Sequence, residues 1–119
     1  MTIATHVLVE LYGVDAGLLD DPARLEAILR DAAQAARTEV LGAVGHKFQP
    51  QGASVVLLVA ESHLSVHTWP EHRYASADIL TCGNTLPTAG VEALLKGFAP
   101  ERHEVRTIDR GGALTPQTA

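Results

Sequence analysis

Residues 53–69 read ASVVLLVAESHLSVHTW. The run Ser54–Ala60 is continuous, apolar and rich in β-branched residues, the pattern of a buried strand. HLSVHTW, at 63–69, alternates and reads as a second strand. Glu61 and Ser62 lie between the two. In an unbroken strand, residues five apart point to opposite faces, and Ser62 and His67 are five apart. For these two to act on each other, the chain must turn between them or the second strand must begin only after Ser62. A functional reading therefore predicts an irregular junction near Glu61 and Ser62, and a purely structural one predicts none.

Working outward, Thr5–Tyr12 is rich in β-formers and predicts a strand. Asp20, Asp21 and Pro22 mark a helix start. Leu25, Ile28, Leu29, Ala32 and Ala36 then recur at helical spacing, giving an amphipathic helix over Pro22–Arg37. Thr38–Phe48 reads as a strand, and QPQGAS as a turn. After HLSVHTW come a turn at Pro70–Arg73 and a strand at Tyr74–Thr81. Thr85–Pro87 opens a second helix, with Val91, Leu94, Leu95 and Phe98 on one face. HEVRTID is the last strand and GGALTPQTA a loose tail. The order is β-α-β-β-β-β-α-β, without internal repeats. Two helices cannot cover both faces of a five- or six-stranded sheet. The expected fold is an α/β two-layer sandwich, a largely antiparallel sheet with two helices on one face. The uncovered face should seek a partner, which predicts a homodimer.

The 119 residues are expected to form a single domain, 1–119. Hydrophobic residues make up 46% and charged residues 19%, a globular rather than disordered balance. A net charge of -5 disfavours nucleic acid as a partner, because phosphate binding needs a basic patch. No apolar run approaches a membrane span, and the N-terminus shows no basic signal-peptide region. A single cysteine excludes an internal disulfide and fits a cytoplasmic setting.

The chemistry concentrates in ESHLSVHTW and Cys82. His63 and His67 with His46 or Cys82 make a conceivable zinc set, but no CxxC or HExxH motif supports it, and no metal is expected. A hydrolase triad of Ser62, His67 and Asp78 lacks the GxSxG elbow. The plain structural reading satisfies the histidines at a strand edge and buries Cys82.

The stretch HKFQPQGASVVLLVAESHLSVHTWPEHRYASADILTCG, residues 46–83, resembles the small prokaryotic S-adenosylmethionine decarboxylases, pyruvoyl-dependent enzymes of polyamine biosynthesis. The similarity runs from about Thr5 to Arg110 and implies the same two-layer sandwich. It implies that the chain cuts itself between Glu61 and Ser62, into 1–61 and 62–119. The Ser62 hydroxyl attacks the Glu61 carbonyl to form an ester. Loss of the Ser62 Cα proton then expels the Glu61 carboxylate, and the dehydroalanine left behind becomes the pyruvoyl cofactor. That group forms a Schiff base with the substrate amine and accepts the electrons left as carbon dioxide departs.

The resemblance also implies roles residue by residue. His67 removes the Cα proton in processing and Ser54 assists. Cys82 reprotonates the substrate carbon. Phe48 and Trp69 hold the adenine, and Glu71 the ribose hydroxyls. His63 receives no role. The resemblance further implies a homodimer with shared sites, Ser62 and His67 from one chain and Cys82 from the other. There are departures from the family pattern. Arg73 stands where a small residue is common, Val55 follows Ser54 in place of a frequent Gly, and Val14 replaces a frequent Cys, although His6 and Glu10 keep their spacing. Arg73, close to Glu71, leaves ornithine or arginine as the alternative substrate. An inactive, unprocessed homologue is the non-enzymatic alternative.

Overall fold

The computed structural model describes residues 3–114. The chain runs through β1 (Ala4–Tyr12), α1 (Ala16–Leu19), α2 (Pro22–Ala35), β2 (Glu39–Lys47), β3 (Ala53–Ala60), β4 (Ser62–Trp69), β5 (Tyr74–Thr81), α3 (Pro87–Phe98) and β6 (Arg102–Arg110). Short 3-10 turns sit at Pro70–His72 and Gly112–Leu114. The strands form one sheet in the order β2-β3-β4-β5-β1-β6, and every neighbouring pair is antiparallel. The helices pack on one face, α2 over β2, β3 and β4, and α3 over β1 and β5. The expected two-layer sandwich is the observed fold.

Alternation explains the layering. Val7, Val9 and Leu11 of β1, Val55, Leu57 and Val59 of β3, Leu64 and Val66 of β4, and Ala77 and Ile79 of β5 are buried beneath the helices. Leu25, Leu29, Ala32 and Ala33 of α2 meet them, together with Leu94 and Phe98 of α3. The continuous run in β3 differs from its expected full burial. Val56 is 38% exposed and Leu58 56%, because their face carries no helix; Val44 of β2, on the same face, is 73% exposed.

Local signals set the helix ends. The Asp21 carboxylate accepts from the amides of Ala23 and Arg24, and Pro22 occupies the first helical turn. Arg37 turns left-handed at φ 62°, so α2 stops at Ala35, short of the expected Arg37. The one-turn α1 is absent from the sequence reading. Gly90 lets α3 settle closely on the sheet and on α2: a Cβ there would lie 2.9 Å from Ile79 Cδ1 and 3.1 Å from Ala36 Cβ. Of the expected loose tail, Gly112–Leu114 form a 3-10 turn, and residues 115–119 lie outside the described residues. No helix among the described residues is long and apolar enough to cross a membrane.

Candidate active site

The β3–β4 junction is irregular, but its turn lies ahead of Ser62: β4 begins at Ser62 itself and runs unbroken past His67, so the condition that parity set for these two to meet in one chain is not satisfied. Val59 pairs with Ser62, leaving Ala60 and Glu61 as the turn. Two-residue hairpin turns favour Gly or Asn where φ is positive. Here Ser62 sits at φ 120°, a conformation that costs on the order of 1–3 kcal/mol in a residue with a side chain. The Glu61 side chain reaches the end of β5, where the Cys82 thiol donates to its Oε1 at 3.3 Å. The hydrogen bond to Glu61, then burial, then the Glu61 charge push the Cys82 thiol above its ordinary value.

A second cluster lies at the other end of β4. Antiparallel register sets Ser54 opposite His67, and Ser54 Oγ and His67 Nδ1 share a 2.7 Å hydrogen bond. They open into a cavity of about 380 Å3, also lined by Phe48, Gln51, Trp69 and Glu71. Phe48 is 46% exposed and Trp69 41%, so both rings face the cavity rather than the core. Trp69 stacks on Tyr74 with ring centroids 5.4 Å apart. Burial, followed by the hydrogen bond Tyr74 gives to Glu10, raises the Tyr74 hydroxyl to about 12, so the ring behind Trp69 keeps its hydroxyl hydrogen at ordinary pH.

Two residues to which the sequence assigned no part in the site hold this cluster. Buried Thr68 accepts from the Ala53 amide at 2.9 Å and donates to the Leu19 carbonyl at 2.6 Å. It thereby clamps the neighbours of Ser54 and His67 to α1. Asp20 accepts the Gly52 amide at 2.8 Å and pairs with Lys47 at 3.0 Å, fastening the 49–52 turn. The Gly52 amide, then Lys47, hold the Asp20 carboxyl below its usual range. A Thr68→Val chain keeps the shape but orphans a buried amide. It should lose about 1–3 kcal/mol of stability, read as a lowered midpoint in urea unfolding.

Between the two clusters lies a polar knot on the open face. Asp78 accepts from Ser65, from His6 Nε2 at 2.6 Å and from His63 Nε2 at 3.0 Å. Arg110 donates to His6 Nδ1 at 2.9 Å. Arginine has no acceptor, so His6 Nδ1 keeps its lone pair and Nε2 carries the hydrogen given to Asp78. Burial acts to raise the Asp78 carboxyl, but the bonds from Ser65, His6 and His63 outweigh it and hold the carboxyl below its usual range. A depressed carboxylate stabilises the fold fully above the unfolded value, about 4, and that contribution disappears as pH falls through the folded value. An Asp78→Asn chain should therefore be less stable by about 1–3 kcal/mol at pH 7. The gap should close below about pH 4, a trend that thermal melts across pH will read.

The geometry also fails to assemble two readings already set aside in the sequence, and it corrects one expectation. The triad Ser62, His67 and Asp78 is not assembled, since Asp78 holds His6 and His63 while His67 holds Ser54. The zinc set is dispersed too. His63 faces Asp78, His67 faces Ser54, His46 packs edge-on to Phe48, and Cys82 binds Glu61. Among the described residues the histidine–carboxylate group is instead His6, His63 and Asp78. The correction concerns Ser62 and His67, which do not meet within one chain. Five steps along β4 at about 3.3 Å put their Cα atoms roughly 16 Å apart. It is Ser62 and Cys82 that share one end of a single chain, through the contact between Cys82 and Glu61, and His67 that lies at the other. Arg73 also points away from the cavity. Its guanidinium donates to the Val14 and Gly13 carbonyls at 3.1 and 3.3 Å and pairs with Glu101 at 3.5 Å.

A hydroxyl–imidazole pair, two exposed rings and a carboxylate around one cavity, on a sheet with one covered face, define a small two-layer α/β enzyme that takes up a compact organic ligand. The sequence model of the S-adenosylmethionine decarboxylase family matches residues 5–111, and the chain belongs to that family. It is 40% identical over 111 residues to an S-adenosylmethionine decarboxylase proenzyme of Sulfurihydrogenibium sp., spanning 92% of this chain and 84% of that protein. Against the corresponding proenzyme of Methanococcus maripaludis (strain C5) the identity is 39%, spanning 92% and 90%. The crystal structure of adenosylmethionine decarboxylase from Aquifex aeolicus superposes with a TM-score of 0.86 at 35% identity, covering 92% of each chain. A Trypanosoma brucei relative, at 19% identity and TM-score 0.61, covers 85% of this chain and 44% of that one and shares the fold.

Proposed function

We propose that this chain decarboxylates S-adenosylmethionine to the aminopropyl donor of spermidine synthesis, using a pyruvoyl group made from its own Ser62 by cleavage at Glu61–Ser62. The observation that carries this reading is the single cavity shared by Phe48, Trp69, Glu71, Ser54 and His67, in a chain of this family. Flat walls suit an adenine, and a carboxylate at the rim suits ribose hydroxyls. A bare amino acid such as ornithine or arginine would leave the two rings without a partner, and Arg73, one of the departures that raised those substrates, is bonded elsewhere. Ser62 suits the precursor role: it sits at a strained turn, with Cys82 bonded to the residue before it. When present, the pyruvoyl group supplies the electron sink for the pair left by carbon dioxide. Cys82 returns a proton to that carbon. His67, hydrogen-bonded to Ser54, is the base for the Ser62 Cα proton during cleavage.

The separation of roughly 16 Å along β4 supports a site built from two copies. The open sheet face of one chain meets that of the other, so that the His67 cavity of each covers the Glu61–Ser62 turn of its partner. Exposed Val44, Val56 and Leu58 on that face favour such a homodimer.

Intact mass of the purified, denatured protein tests the reading, followed by release of carbon dioxide from S-adenosylmethionine, ornithine and arginine. The expected result is two fragments, 1–61 and 62–119, the second starting with a pyruvoyl group, and turnover of S-adenosylmethionine alone. A chain that stays whole on long incubation, or one that turns over ornithine or arginine instead, overturns it.

A further inference from the structure

We propose that the Glu61 side-chain carboxylate is a positioning residue for Cys82, holding its thiol protonated and turned toward the cleavage junction in both the whole and the cut chain. The proposal rests on the proton-donor role of Cys82 given above. Cleavage at residue 61 requires only its backbone carbonyl, so it gives the side chain nothing to do. Yet that side chain crosses from the β3–β4 turn to the end of β5 and accepts the thiol hydrogen at 3.3 Å.

The surroundings make Glu61 the ionisable group that matters. On its other side Cys82 lines a cavity of about 330 Å3 with Ile3, Ala4, Thr5, Asn84, Thr85 and Pro87. None of these side chains from the start of β1 or the loop into α3 ionises. A thiol beside a carboxylate keeps its hydrogen, because the thiolate would face a like charge at contact distance. That suits an acid and not a nucleophile: a cysteine thiolate would attack an electrophilic carbonyl. In the proton step, the S–H bond breaks and a C–H bond forms at the carbon that lost carbon dioxide. The thiolate left beside Glu61 then takes a proton from water. After cleavage Glu61 ends the first fragment, and its new α-carboxylate adds negative charge to the same place.

Cys82 is the only cysteine, so alkylation of the native full chain by iodoacetamide, followed by intact mass, reads this thiol alone. The rate is measured across pH for the parent chain and for Glu61→Gln, which keeps size and acceptor but removes the charge. The pair is measured again in a Ser62→Ala background, where neither chain is cut. Glu61→Gln should alkylate several-fold faster near neutral pH, with its pH profile moved to lower pH in both backgrounds. Glu61→Asp, which retains the charge, should lie closer to the parent. Profiles that superimpose for parent and Glu61→Gln overturn the proposal. The same spectra report cleavage separately. A cut parent chain with unmoved profiles defeats this inference alone, whereas an uncut parent chain with shifted profiles defeats the proposed function and leaves the Glu61–Cys82 pair standing.

Discussion

A Ser62→Ala chain is expected to remain one intact species and to release no carbon dioxide from S-adenosylmethionine above background. Both losses have one origin: without the Ser62 oxygen there is no ester to form at Glu61, and without the ester no pyruvoyl group is made. The substitution removes a single oxygen from a partly exposed hairpin turn, so unfolding free energy should move by no more than about 0.5 kcal/mol. Intact mass, decarboxylation and a urea melt on the same preparation separate these effects. A Ser62→Ala chain that still splits at this bond, or that retains turnover, would remove Ser62 from the chemistry altogether.

The second large effect concerns two chains that are each inactive. His67→Ala should also stay whole, because the base for the Ser62 Cα proton is gone. Co-expressed with Ser62→Ala under a different tag, it should be cut. A mixed dimer sets an intact Ser62 on the His67→Ala chain against an intact His67 on the Ser62→Ala chain. Only His67→Ala chains should appear as fragments, up to about half of them, the share that random pairing places opposite the other variant. The separation of roughly 16 Å along β4 requires this, since an imidazole cannot span it within one chain. Mixed dimers recovered through both tags and still whole would place Ser62 and His67 in the same chain's site. The structure would then have to close on itself at that turn.

Much of the fold is legible along the chain. The alternation of HLSVHTW and of Tyr74–Thr81 places Leu64, Val66, Ala77 and Ile79 beneath the helices, as observed, and Asp21–Pro22 marks the helix start. The one-turn α1 escaped because four residues hold too little of a 3.6-residue period to register. The unbroken run of β3 reads as buried on both sides, since periodicity cannot report that the second face has no helix over it. Thr68 escaped because its partners, Leu19 and Ala53, lie 49 and 15 positions away, and a buried threonine looks like any other strand residue.

The site divides along the same line. That reactive side chains gather in ESHLSVHTW and Cys82, and that Ser62 and His67 point apart on a regular strand, follow from residue type and a period of two; the role expected of each follows only from the family resemblance. Which of them meet does not follow from residue type or period. Phe48 and Trp69 line one cavity from opposite sides of β3, Cys82 reaches Glu61 and not His67, and Asp78 gathers His6 and His63 through the strand order β4-β5-β1. Face and periodicity are local properties of the covalent chain, written into neighbouring residues. Contact between distant positions depends on how the antiparallel ladders are set in register and which strand lies beside which, and that is settled by burying the helix-side core as a whole.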